Sequence, residues 1–116
     1  MKFLKYFGKQ KRHKLSWPLI IRRVTGNSML PTLYQGQIIG ALTWFVTYHE
    51  GDVVVFRHKG LDKIKRIRAI TAHGLSLYGD NHLQSTDSRS FGMVEKSSIT
   101  GKVVWPIELR RRYLDE

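Results

Sequence analysis

The segment Gly26-Asn27-Ser28-Met29-Leu30-Pro31-Thr32 places a serine among residues that turn a chain sharply. Such a bend exposes the Ser28 hydroxyl and gathers backbone N–H groups around one point, which suits a nucleophile beside an oxyanion hole. The same composition also describes a plain turn with a helix cap. There is no cysteine, so a thiol nucleophile, a thiolate zinc site and a disulfide framework are all excluded. The five histidines, at positions 13, 49, 58, 73 and 82, lack metal-ligand spacing. No metal or other cofactor is expected. Position 30 is Leu, so the G-x-S-x-G nucleophile elbow is missing as well.

Lysine is the remaining candidate base. An exposed lysine is protonated at neutral pH and accepts no proton, whereas burial penalises the ammonium form and lowers its pKa, by up to about 3–5. Lys65 sits in an apolar-rich strand, and Lys63 shares its face because side chains repeat every second residue. Periodicity leaves both open. A second segment, Gly79-Asp80-Asn81 through Gly92, is rich in groups that bond back to backbone and reads by itself as an ordered structural loop.

The elements that must position these groups are short strands. Gln37–Leu42, Asp52–Phe56, Lys63–Ile70, Leu75–Tyr78 and Lys102–Trp105 are apolar or β-branched runs, most of them entered through glycine. They predict a mainly β fold, a small folded antiparallel or mixed β-sheet barrel. Residues 29–35 offer the one short helical stretch. Residues 43–50 are ambiguous, with Trp44, Phe45 and Tyr48 expected in packing. Residues 81–89 read as a loop.

With 116 residues, 41% apolar and 11% aromatic, the chain fits one domain with a modest core. Of the net charge of +11, +8 falls between Met1 and Arg23, where no acid stands. This gives a basic arm over 1–21, a catalytic domain over 22–108 and a charged tail over 109–116. The arm suits an anionic partner or plain solvation. Its best apolar run, Trp17 to Ile21, is too short for a spanning helix or a secretory signal. Phe3, Leu4 and Phe7 beside the lysines sketch an interfacial anchor. The expected location is cytoplasmic, with peripheral membrane contact through the arm as a variant.

Four motifs occur in order: G-N-S-M-L-P-T, G-D-V-V-V-F, I-K-R-I, and G-D-N followed by S-T-D-S-R-S-F-G-M-V. Together, over about Val24 to Pro106, they resemble the catalytic core of the type I signal peptidase family of serine proteases. S-M-x-P-T alone is shared with LexA-type self-cleaving repressors. The resemblance implies a fold of the signal peptidase or LexA-like type and a serine/lysine dyad. Ser28 would be the nucleophile, and its own N–H an oxyanion donor. Lys65 would be the general base, demoting Lys63, and Ser85 would orient the lysine amine. Gly79, Asp80, Asn81, Asp87 and Arg89 would brace the site from behind. Substrate would lie as an extended strand along about Arg22–Val24 and Asp62–Ile64, touching Met29, Asp62 and Ile64.

Two departures qualify the resemblance. Many relatives carry a serine two residues before the nucleophile, where this chain has Gly26, leaving Asn27 or Thr25 as helpers in the oxyanion hole. No membrane anchor and no large insertion between motifs is present in this sequence. The short form, with the closing V-V-W-P at 103–106, is similar to the soluble maturation proteases associated with nickel-type superoxide dismutase. The expected activity is removal of an N-terminal leader from a protein substrate. The alternatives are a membrane-associated signal peptidase-like processing enzyme and a LexA-like nucleic-acid-binding regulatory module. Against the latter, no helix-turn-helix precedes the barrel and the arm lacks interleaved base-stacking aromatics beyond Tyr6 and Phe7, so no nucleic acid is expected.

Overall fold

The computed structural model describes residues 17–81 and 93–106. Seven strands form one antiparallel sheet: β1 (Leu19–Arg23), β2 (Ile38–Leu42), β3 (Val53–His58), β4 (Leu61–Thr71), β5 (Gly74–Tyr78), β6 (Met93–Val94) and β7 (Ile99–Trp105). Their order across the sheet is β1-β2-β7-β3-β4-β5-β6. A single 3-10 turn, Lys96–Ser98, is the helical element among the described residues. The architecture is mainly β, as the strand runs predict.

β3 lies at the centre, and its four residues Val53–Phe56 are buried on both faces. Alternation sends Val53 and Val55 into one cluster, with Val24, Met29, Leu33, Ile39, Ala41 and Val103. It sends Val54 and Phe56 into the other, with Ile67, Leu75, Leu77 and Val94. The unbroken V-V-V-F run thus marks a strand covered on both sides. Each such side chain contributes roughly 1.5–3 kcal/mol by leaving water. The β3–β4 connection is a two-residue hairpin in which Lys59 (φ 51°) and Gly60 (φ 79°) both take left-handed backbone, the signature of a type I′ turn.

Three details differ from the sequence expectation. Residues 29–35 form a turn and no helix: Leu33 N–H bonds the Met29 carbonyl at 2.9 Å, and Pro31 has no N–H with which to continue. β1 (Leu19–Arg23) forms where the sequence reading has no strand. The two-residue β6 is too short to leave a pattern in the sequence. The long loop falls mostly outside the described residues, as do Ser85, Asp87 and Arg89.

Candidate active site

The serine turn is built by its ends. Gly26 has φ 80°, a backbone that a side chain would strain, so glycine there answers a conformational need. Asn81 then grips the turn from the far side. Its N–H donates to the Ser28 carbonyl at 2.8 Å, and its Nδ2 donates to the Asn27 carbonyl at 2.9 Å. C=O and N–H point opposite ways in a trans peptide. With the Asn27 carbonyl directed at Asn81, the Ser28 N–H faces away from it.

Lys65 reaches the same place from β4. Its register partner on β3 is Val54, and the ladder between β4 and β5 runs from Arg66↔Tyr78 onward, so Gly79 follows directly beside Lys65. Gly79 is where the two chains meet. A methyl group in place of its hydrogen would stand 2.6 Å from the Ser28 carbonyl oxygen, 3.2 Å from Ser28 Cβ and 3.4 Å from Lys65 Nζ. Ser28 Cβ and the Lys65 amine therefore both lie within 3.4 Å of one point beside Gly79, and only glycine leaves that space open. Lys65 is 6% exposed. Lys63, one pleat away, is half-buried and also lines the cleft.

Behind Gly79 stands a buried ion pair that the motif pattern does not reveal. Arg66, 1% exposed, donates from Nε and Nη2 to the two Asp80 carboxylate oxygens at 2.9 and 2.7 Å. Its Nη1 donates to the Gly51 carbonyl at 2.7 Å. Thr32, the last residue of the serine motif, donates its hydroxyl to Asp80 Oδ2 at 2.6 Å. Asp80 thus ties the serine turn to β4, and Arg66 carries the link on to the entrance of β3. The available signal for Arg66 was a charged residue set between Ile64 and Ile67 in a strand, on the face opposite Lys65.

The cleft itself lies between β1 and the first half of β4, with a volume of about 220 Å³. Ser28 and Lys65 sit at one end; Val24, Met29, Val55 and Ile64 supply apolar wall, and Arg22 and Asp62 stand further along. β1 is the first strand of the sheet and pairs along one side with β2. β4 pairs with β3 on one side and begins pairing with β5 only at Arg66. The structure thus brings Ser28, Lys65, Gly79, Asp80 and Asn81 together, and lines the adjoining cleft with Met29, Asp62 and Ile64.

Residues 9–104 match the Peptidase S24-like family. The chain belongs to that family. This S24-like assignment covers the arm from Lys9 onward together with the serine turn, the lysine strand and the sheet. It accords with the LexA and signal-peptidase likeness of the four motifs. One relative is the HTH-type transcriptional regulator PrtR of Pseudomonas aeruginosa, 28% identical over a 100-residue alignment that covers 80% of this chain. The match takes in 38% of the regulator's length. Among the described residues, no helix is long and apolar enough to cross a membrane.

Proposed function

We propose that this chain is a serine endopeptidase that removes an N-terminal leader from another protein by a Ser28/Lys65 dyad. Maturation of a nickel-type superoxide dismutase is the finer assignment. The observation that supports it best is the meeting of the Ser28 turn and the buried Lys65 amine across Gly79. Burial favours the neutral amine, since a low-dielectric surrounding penalises the ammonium. The neutral Lys65 Nζ takes the Ser28 proton as Oγ attacks the scissile carbonyl, and the new oxyanion accepts a hydrogen bond from the Ser28 N–H. The resulting Lys65 ammonium protonates the leaving amine as the C–N bond breaks. Water, deprotonated by Lys65, then releases the acyl group and restores the serine.

The test is cleavage of a leader-bearing protein by the full chain. Ser28→Ala and Lys65→Ala each reduce turnover to background while circular dichroism stays that of the parent. The rate falls as pH drops below neutral, because protonation removes the base. Full activity in either variant, or a rate flat down to about pH 5, overturns the mechanism. The regulator among the relatives favours a second reading, a LexA-like regulatory module that acts with nucleic acid. Steeply salt-dependent binding to one DNA sequence over others, without leader cleavage, would select it.

A further inference from the structure

The cleft walls carry a chemical order. β1 and the first half of β4 both run toward the site, the first ending at Val24 and Ser28, the second at Ile64 and Lys65. Val24 and Ile64 belong to or pack against the same apolar cluster. Two residues earlier on each strand, Arg22 and Asp62 face one another across the cleft, Nε to Oδ2 at 2.9 Å. An extended peptide laid between the strands repeats its side chains every second residue. It meets an apolar rung near the cleaved bond and a charged rung two residues further away.

The charged rung is not neutral. Asp62 also forms an ion pair with Arg57, its cross-strand partner, Nε to Oδ1 at 3.1 Å, without hydrogen-bond geometry, so the buried Oδ1 accepts no hydrogen bond. Two guanidinium groups therefore share one carboxylate, and the other charged cleft residues, Arg23, Lys63 and the site lysine, are all basic. A carboxylate arriving with the peptide takes Arg22 over from Asp62, which keeps Arg57; each anion then holds one arginine. A lysine or arginine arriving there adds a third cation to one carboxylate.

We infer that Arg22 is a specificity-determining residue, and that the peptide bound in this cleft carries Asp or Glu two residues beyond an apolar side chain, on the side away from the cleaved bond. The inference rests on the peptidase reading, but its test does not require cleavage. The probe is a set of synthetic decapeptide pools, randomised over Ala, Val, Leu and Ser, with Glu, Gln or Lys fixed at the fourth position. Binding to the full-length Ser28→Ala chain is read by fluorescence anisotropy at about 0.1 M salt, where distant charges are screened.

The expected result is Glu-pool binding about tenfold tighter than the Gln pool, the value of a charge-assisted hydrogen bond, and Lys-pool binding weaker than both. Arg22→Gln brings the Glu-to-Gln ratio to about one. Lys96→Glu, on the exposed 3-10 turn, lowers net charge without touching the cleft and leaves the ratio in place. Equal binding of the three pools, no binding of any, or a Glu preference that survives Arg22→Gln overturns the inference. Leader cleavage by the unmutated chain is scored separately, so loss of the peptidase reading and loss of the acidic preference register as different results.

Discussion

At the residue scale, the candidate dyad depends on groups that do no chemistry themselves. Asp80 satisfies Arg66 and Thr32 together, and both ions are nearly free of solvent. Taking one partner from a buried pair strands the other charge at a cost of about 3–5 kcal/mol. Asp80→Ala therefore lowers the denaturation midpoint far more than a surface substitution would, and a midpoint within a degree or two of the parent would contradict the buried geometry. Gly79→Ala acts differently. Its methyl group meets a backbone carbonyl at 2.6 Å, which cannot rotate away as a side-chain tip can, so the serine turn and the lysine strand must part. Leader cleavage falls by at least about a hundredfold, as expected of an ångström-scale misplacement of reacting groups, while the chain stays folded. Ser28, Lys65 and the G-D-N triplet could be named as candidates from the sequence through the family resemblance of the motifs, whereas periodicity left Lys63 and Lys65 open. Arg66 could not be named, since its partner lies 14 residues away and only the β4–β5 pairing brings it back.

At the element scale, five of the seven strand positions were readable, all but β1 and β6, and strand relations were not. The V-V-V-F run, the apolar positions of β4 and the glycine that opens β5 each mark an element. Nothing local states that β7 inserts between β2 and β3, or that β1 closes the cleft opposite β4. Residues 43–50 were ambiguous for a physical reason: they serve two masters. Phe45 is almost wholly exposed, while Tyr48 packs against the second core cluster. Nearby, Asp52 accepts the His49 N–H at 2.7 Å and faces Lys102 Nζ at 3.4 Å. Burial, with the Asp52 charge adding to it, raises the Tyr48 pKa above 10.0. The sign follows directly. Between the unfolded and folded pKa the unfolded chain has lost a proton that the folded chain retains, so stability is intact below about pH 10 and declines above it. Tyr48→Phe removes that contribution. In urea titrations, the parent loses stability more steeply than the variant between about pH 10 and 11; parallel slopes would show that Tyr48 is no better shielded when folded.

At the scale of the whole molecule, the question is whether the scissile segment belongs to this chain or to another. The motif shared with self-cleaving repressors permits the first, and the leader-removal reading requires the second. The two differ in concentration dependence. A chain that cuts itself loses mass at a first-order rate independent of protein concentration, and Ser28→Ala blocks the loss. A chain that processes a separate protein keeps its 13.5 kDa mass, while product forms at a rate proportional to enzyme. On the proposed reading, the strand that enters the cleft between β1 and β4 comes from a separate protein. We therefore expect intact mass after prolonged incubation at mildly alkaline pH, where the amine is most readily neutral. Ser28-dependent fragments appearing at equal fractional rates in dilute and concentrated samples would move the assignment to the self-cleaving class. The basic arm enters the same experiment. With +8 of the +11 net charge in its first 23 residues, the chain would attract an acidic substrate from a distance on the proposed reading. Processing of an acidic substrate therefore slows as salt rises, through the encounter rate rather than the chemical step. Replacing Lys9, Lys11, Arg12 and Lys14 with glutamine flattens that salt dependence and leaves kcat at saturating substrate as it was.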